Sequence, residues 1–358
     1  MTSTTHDPRL PDGFWTFFCP FPSETSPEAD RLLAGTLAFA RAYDLGGGDD
    51  AAATVLAHAG AGVLVHLLPH ATGELAQALA DYNSWAFRAD DLAVPAPGTA
   101  RTCDVVTRLA RWTYLMRTPG AFPHGTPLDN AVSDAFRRLR RLMTPVQFDR
   151  FVTGQMLWVW SMLWETGQRE RGDRLSVNDY LAMRRGSVGI DATPAFLDAV
   201  EGIEVPAREA AAPAVKAAVE AAMFVPALDD DRWSYHRELR PGMEKCNIFH
   251  ALRHDDPGLS LHDAMREAIT LRNRVLDLYL RLRGQILPQA SPQLRRYFGA
   301  MERVISGAIV LGITNPRYVL PGTTRDARIT DEAPTDLPTG PLPYPAVAWW
   351  WDHLDPGR

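Results

Sequence analysis

Residues 230–238 read Asp230-Asp231-Arg232-Trp233-Ser234-Tyr235-His236-Arg237-Glu238. Asp230, Ser234 and Glu238 stand at i, i+4 and i+8, so on a helix of about 3.6 residues per turn they share one face. Two carboxylates and a hydroxyl then point the same way over two turns. This all-oxygen half-cage suits a hard cation such as Mg2+, which takes part of its shell from protein and the rest from water and substrate phosphate. Asp also favours N-caps and first helical turns, so a solvated acidic helix start is the other reading of the same residues. Asp49-Asp50 and Asp255-Asp256 are read in that second way.

Outward from this segment the pattern is helical almost throughout. Good helix formers recur at spacings of three and four. The spacing predicts helices over 27–44, 51–68, 71–90, 100–116, 128–142, 145–168, 176–186, 192–202, 207–225, 229–254, 260–285 and 290–312. Ser26-Pro27, Asp49-Asp50 and Ser176 with Asp179 supply start signals. No sustained strand alternation, internal repeat or Gly-x-Gly-x-x-Gly turn is found. The fold class is all-α, with one helical domain over 1–320 and a tail over 321–358. The prolines and glycine in 92–99 must end the preceding helix. The tail is proline-rich and ends in Trp349-Trp350-Trp351, which should dock on something apolar, either the mouth of a cavity or a groove.

Composition narrows the function. Of 358 residues 46% are hydrophobic, enough for a sizeable core. The net charge of −6 and the lack of a basic tract argue against a nucleic-acid partner. Cys19, Cys103 and Cys246 make neither a disulfide framework nor a zinc spacing. No run of about 18 uninterrupted apolar residues occurs and the N-terminus lacks a signal-peptide core, so no membrane insertion and a cytoplasmic location are expected.

A second acidic pair adds to the first signal. Asp90-Asp91 closes the apolar helix that runs through Tyr82-Asn83-Ser84-Trp85-Ala86-Phe87-Arg88-Ala89. A helix C-terminus carries negative dipole charge, so two carboxylates there need a compensating cation, with Arg88 or a loop arginine as the local choice.

Together these segments resemble the bacterial class I terpene synthases. That family carries an aspartate-rich motif after a Trp-x-Phe helix and an Asn/Asp-Asp-x-x-Ser-x-x-x-Glu triad on a later helix. Trp85-Ala86-Phe87-Arg88-Ala89-Asp90-Asp91 and Asp230 through Glu238 match them. Phe18-Cys19-Pro20-Phe21-Pro22 is similar to the family's N-terminal segment, and Tyr180 through Gly189 to the segment bearing its diphosphate-sensing arginine. Asn247-Ile248-Phe249 with Gly258-Leu259-Ser260-Leu261 fits the stretch after the triad, and Arg317-Tyr318 the C-terminal Arg-Tyr pair. The resemblance covers about residues 14–320.

It implies a bundle of about 10–12 helices around a central cavity, in which three Mg2+ ions hold the diphosphate of a linear prenyl substrate. Asp90, with Asp91 assisting, and Asp230, Ser234 and Glu238 would be the metal ligands. Arg184 or Arg185, Arg237, Arg317 and Tyr318 would bind the diphosphate. Arg184 lies 46 residues before Asp230, while Arg-x-x-x-Gly favours Arg185 with Gly189; both readings stay open, with Val188 and Gly189 as effector positions. Trp85, Phe87, Ala89, Trp158, Trp160 and Phe196 are the candidate pocket walls, where aromatic faces stabilise cations without attacking them. The helix 156–164 is apolar on more than one face, so only part of it can line a pocket.

The match has three departures. Val94 stands where the family keeps a third acid, Ala89 where it keeps a bulky aromatic, and Asp230 where it usually has Asn. Ala89 is expected to widen the pocket floor. The substrate expected first is farnesyl diphosphate and second geranylgeranyl diphosphate, and the chain is expected to be a monomer or homodimer. A chain-elongating prenyltransferase would need a second Asp-Asp-x-x-Asp, which is missing. A catalytically impaired relative that only binds a prenyl ligand is the alternative from another class, motivated by Val94.

Overall fold

The computed structural model describes residues 10–93, 101–172, 174–189, 192–239, 247–319 and 327–355. Its helices are α1 (Ala29–Ala42), α2 (Asp50–Gly62), α3 (Gly73–Ala93), α4 (Thr102–Arg117), α5 (Pro127–Leu142), α6 (Pro145–Arg171) and α7 (Val177–Ser187). They continue with α8 (Thr193–Glu201), α9 (Ala207–Ala210), α10 (Pro213–Glu238), α11 (Ile248–Asp255), α12 (Leu261–Ile286), α13 (Pro292–Thr314) and α14 (Pro345–Ala348). Among the described residues, twelve of these have eight residues or more, and the architecture is all-α.

Local chemistry sets most boundaries. Thr126 with Asp129 and Thr144 with Gln147 form reciprocal capping boxes ahead of prolines at the first helical positions of α5 and α6. Asp49, Ser176, Ser260 and Ser291 accept backbone N–H groups at the starts of α2, α7, α12 and α13. Asp255 and Asp256 instead stand at the end of α11, and the Asp255 carboxylate accepts the Val177 N–H at 2.9 Å.

One boundary expected from the sequence is corrected. The predicted break between 225 and 229 falls on Pro226, yet α10 runs through it from Pro213 to Glu238. A proline inside a helix costs about 3 kcal/mol or more. Here the flanking residues Phe224, Val225, Ala227 and Leu228 are buried, so tertiary packing holds the helix across the defect. The predicted 229–254 helix is in turn two pieces, because α10 ends at Glu238 and Asn247 caps the new start of α11.

A second correction concerns strands. Thr16–Phe18 (β1) pairs in parallel with Arg328–Thr330 (β2). Segments of three residues show no alternation, and each needs a partner more than 300 residues away, so no local pattern reports them. Two buried guanidinium groups anchor β1. Arg232 donates to the Phe14 and Thr16 carbonyls and Arg272 to the Phe18 carbonyl, and Asp229 balances both charges.

The tail docks in an apolar groove on the outer side of α7, α10 and α12. Trp350 is buried against Phe224, with ring centroids 5.6 Å apart, and its Nε1–H donates to Glu220 at 3.1 Å. The Ala346 N–H donates to Asn178, and Arg274 donates to the Gly340 carbonyl at 2.7 Å. Of the two places expected for the tryptophans, the groove is the one observed: no described tail residue lines the central cavity.

Two helical stretches, Asp50–Leu67 and Pro292–Thr314, are apolar enough to cross a bilayer by composition, but half and two thirds of their residues are buried inside the bundle. They meet closely. The π-helical turn Val63–Leu67 follows α2, and a Cβ on Gly307 of α13 would lie 1.9 Å from the His66 carbonyl oxygen, so only glycine fits there.

Candidate active site

A cavity of about 260 Å3 opens between α3, α6, α7, α8, α10 and α13. On α3 the side chains at i−3, i−4, i−7 and i−8 from Asp90 share its face. Phe87, Ala86, Asn83 and Tyr82 accordingly line the cavity with it. Trp85 and Ala89 fall on the opposite face. Trp85 is fully buried, its ring 5.2 Å from Trp112, and its Nε1–H donates to the Leu128 carbonyl at 3.1 Å. Ala89 is equally buried and does not line the cavity, so it cannot widen the floor. On α6, Trp158 lines the cavity, whereas Trp160, two positions on and so on the outer face, is 66% exposed. Phe196 of α8 completes the aromatic wall. Val94 lies outside the described residues.

Three consecutive aspartates on α10 are separated by about 100° each around the helix. Asp229 points into the core between Arg232 and Arg272. Asp230 faces the cavity, where it accepts from Trp233 Nε1 at 2.7 Å and from Arg184 at 2.6 Å. Asp231 takes the Tyr180 hydroxyl, the Ile248 N–H at 2.9 Å and an ion pair with Arg184 at 2.8 Å. Ser234 donates to Glu238 at 2.8 Å, and Asn247 donates to the other Glu238 oxygen at 3.0 Å.

The two arginine readings separate cleanly. Arg184 lines the cavity beside Ser187, Val188 and Gly189. Arg185 points away, pairs with Glu220 at 2.7 Å and borders a different cavity behind α8. Arg237, Arg317 and Tyr318 all reach the central cavity.

The cation demanded by Asp90-Asp91 is now identified. Arg317 grips Asp91 with two hydrogen bonds, of 2.9 and 3.1 Å, and Arg237 adds a third contact. Neither is near in sequence, and Arg88, one of the two local alternatives, is not the partner found. Burial opposes the Asp91 charge, but the two arginines outweigh it and hold its carboxyl below the usual range. Asp90 has no hydrogen bond among the described residues. Burial, then the charges of Asp91 and Glu165, push it up to about 7. Burial and Asp231 push Glu238 up to about 7 as well, and burial lifts Asp231 to about 6 despite Arg184.

Sequence reasoning passed over Glu165, Asp231 and the Tyr82–Gln155 pair. Glu165 sits on α6 seven residues beyond Trp158, on the same face, and lines the cavity near Asp90. An acid on the cavity side of an apolar helix was the signal available. Asp231 gave none, because its partner Tyr180 lies 51 residues away.

Among the described residues no three His, Cys, Asp or Glu side chains converge as a preformed metal cluster. The donor chemistry nevertheless fits a hard divalent cation. Asp90 is a buried carboxylate with no bonded cation, and Asp230 and Glu238 line the same space, whereas the expected third ligand, Ser234, does not line it and is bonded to Glu238. Crowded carboxylates whose protonation is favoured by burial are groups whose charge a metal ion would stabilise.

Comparison with known proteins agrees with this geometry. Residues 81–277 match the family described as "Terpene synthase family 2, C-terminal metal binding". A diterpene cyclase, DtcycB, from Streptomyces sp is 38% identical over 96% of this chain and 98% of its own length. The (+)-T-muurolol synthase of Streptomyces clavuligerus, described as cyclizing (2E,6E)-farnesyl diphosphate, is 28% identical over 95% of this chain and 82% of its own. The crystal structure of SVS_A2, a protein from ancestral sequence reconstruction, superposes with a TM-score of 0.80 at 31% identity, covering 94% of this chain and 98% of that one.

The chain therefore belongs to the terpene synthase family, as a bacterial class I member with that all-α fold. It is a terpene cyclase, a lyase whose family region is metal-binding.

Proposed function

We propose that this enzyme ionises a linear prenyl diphosphate with Mg2+, three ions being the complement the family resemblance implies, and cyclises the resulting carbocation to a hydrocarbon or alcohol. One observation carries the reading. Asp90 from α3, Asp230 and Glu238 of α10 and the cations Arg184, Arg237 and Arg317 all line one cavity whose remaining walls are largely apolar, and Ser234 stands behind them, bonded to Glu238. Bound Mg2+ would neutralise the leaving diphosphate and lower the barrier to C–O cleavage.

The protein's own groups do the rest. Arg184, Arg237, Arg317 and Tyr318 donate charge-assisted hydrogen bonds to diphosphate oxygens. In the present structure Arg184 is held by Asp230 and Asp231, so diphosphate binding has to draw the guanidinium from Asp230, which frees that carboxylate for metal. Arg184 is thus the diphosphate sensor, and Arg185, tied to Glu220, is not. Movement of Arg184 is passed to Val188 and Gly189, one turn on at the cavity wall; Gly189 has φ 78°, a conformation glycine adopts without strain. Phe87, Trp158 and Phe196 supply aromatic faces to the cation and keep water out. Asp91, bound to Arg237 and Arg317, positions those arginines and is not itself a principal metal ligand.

Farnesyl diphosphate is the substrate expected from sequence. The 38% identity to a diterpene cyclase favours the second candidate, geranylgeranyl diphosphate. Incubation of the purified enzyme with each substrate, with Mg2+ and with EDTA, followed by gas chromatography–mass spectrometry, tests both points. A cyclic product that requires Mg2+ supports the reading and names the chain length. No diphosphate release from either substrate would overturn it in favour of a ligand-binding relative.

A further inference from the structure

Four residues that line the central cavity keep a buried polar side-chain atom without a hydrogen-bond partner among the described residues: Arg184, Ser187, Arg317 and Gln155. The first three stand with the groups already assigned to the diphosphate. Gln155 stands apart from them. It lies on α6 ten residues before Glu165, the acid near Asp90, and its partner Tyr82 lies on α3 eight residues before Asp90. At about 1.5 Å of rise per residue, both sit about 12–15 Å along their helices from the acidic end of the cavity. The surroundings there are apolar. The rings of Phe151, Phe136 and Phe196 lie 5.2, 5.6 and 6.0 Å from that of Tyr82, and Gln155 is 1% exposed.

The Tyr82 hydroxyl donates to the side-chain carbonyl oxygen of Gln155. Burial pushes that hydroxyl well above its ordinary pKa, so it stays protonated and holds the amide in one orientation. What remains of Gln155 for the cavity is its Nε2 group. Leaving a buried donor unmade costs more than a made bond returns. A hydrocarbon chain offers this donor no acceptor, and a carbocation repels its hydrogens. The acceptor it suits is an oxygen. Asn83, next to Tyr82 and also on the cavity wall, donates its amide N–H to the Leu79 carbonyl at 2.8 Å, which leaves its own side-chain oxygen to accept. A donor and an acceptor at one end of an apolar cavity are the two partners that one held water molecule needs.

We propose that Gln155 holds one water molecule at the deep end of the cavity and that this water ends the reaction, so that the main product is an alcohol. The inference rests on the cyclase reading and narrows its outcome. Ring closure joins the ionised carbon to a distal double bond. The electron pair of that bond forms the new C–C bond, and its other carbon takes the charge, so the cation moves from the diphosphate end towards Gln155. The water oxygen then gives a lone pair to that carbon and the C–O bond forms. The proton shed by the resulting oxonium ends on the released diphosphate, a base that the reaction itself supplies. Gln155 orients the attacking oxygen and takes no proton.

The test incubates the full chain with Mg2+ and farnesyl or geranylgeranyl diphosphate in water enriched in oxygen-18. Gas chromatography–mass spectrometry reads the product, and diphosphate release is measured in the same samples. The wild type is expected to give an alcohol that carries the heavy oxygen. Gln155→Leu should lower the alcohol formed per diphosphate released by about tenfold or more, the worth of one hydrogen bond to the water, and hydrocarbon should replace it. A merely structural role would lower turnover without changing the product. Gln155→Leu leaves the Tyr82 hydroxyl without an acceptor, so Gln155→Leu with Tyr82→Phe, which removes both polar partners, is run beside it and should show the same change of product. A wild type that releases diphosphate but yields hydrocarbon, an alcohol without the label, or an alcohol share that neither variant lowers overturns the inference and leaves the cyclase reading standing. A wild type that releases no diphosphate overturns both.

Discussion

Asp90 and Asp91 are neighbours in sequence with opposite physical burdens, and replacing each by Asn separates them. Asp91 is held by two hydrogen bonds from Arg317, of 2.9 and 3.1 Å, and by Arg237. Their side chains are 25%, 5% and 20% exposed. Breaking a fully buried pair by removing one charge costs about 3–5 kcal/mol. The quarter exposure of Asp91 and the oxygen that Asn retains reduce this to about 2–3 kcal/mol for Asp91→Asn. At this chain length that is a loss of roughly 3–5 °C in Tm. Asp90 has no hydrogen-bonded cation to lose and sits beside two like charges, Asp91 and Glu165, which outweigh the attraction of Arg317 and Arg237. Asp90→Asn should therefore leave the Tm unchanged or raise it, while removing a metal ligand and abolishing turnover.

Differential scanning fluorimetry in EDTA measures stability without metal, and product formation with Mg2+ measures function. Equal destabilisation by the two substitutions, or an Asp91→Asn enzyme as stable as wild type, refutes the assignment of structural work to Asp91 and metal work to Asp90.

Arg184→Lys should lower turnover by at least about a hundredfold, since a lysine cannot reproduce the forked contact, whereas Arg185→Lys should leave it within about threefold; single-turnover diphosphate release separates them. Asp90 and Glu238 have folded pKa values near 7, above the ordinary carboxylate range. Their ionised forms thus cost stability, so the metal-free protein should gain stability as pH falls through about 7 and lose it as pH rises through that value. Asp91, whose folded pKa is lowered, acts in the opposite sense, and its contribution is lost only in more acidic solution. Thermal melts in EDTA across pH read these slopes. Titration of Mg2+ into the protein should show affinity weakening as pH drops through the same window. Trp350→Ala removes a fully buried ring and should cost about 3–4 kcal/mol, read as a shift in denaturant midpoint; an unchanged midpoint would mean that the tail does not dock.

Much of the site was legible because its chemistry is written at helical spacing. Asp230, Ser234 and Glu238 at steps of four, and the capping signals at Asp49 and Ser176, are local properties that short stretches of chain carry by themselves. The resemblance likewise drew on the order of short motifs, and the helices bring residues of the Asp90, Arg184, Asp230 and Arg317 motifs around one cavity. Misreadings arose where the relevant partner is distant. Pro226 read as a break because its compensation is core packing. Trp85 and Ala89 read as pocket residues because sequence adjacency to Asp90 says nothing about which side of α3 they occupy until the position of the cavity is known.

The sequence by itself determined the helical architecture, the all-oxygen character of the proposed metal face and the need for a cation near Asp90-Asp91, since each follows from side-chain chemistry and a period of about 3.6 residues. The tertiary structure alone decided which of Asp229, Asp230 and Asp231 enters the cavity, that Arg184 and not Arg185 faces it, that Arg237 and Arg317 are the cations on Asp91, and that β1 meets β2. Those outcomes depend on how helices are rotated against one another, and rotation is set by the packing of side chains far apart in the chain.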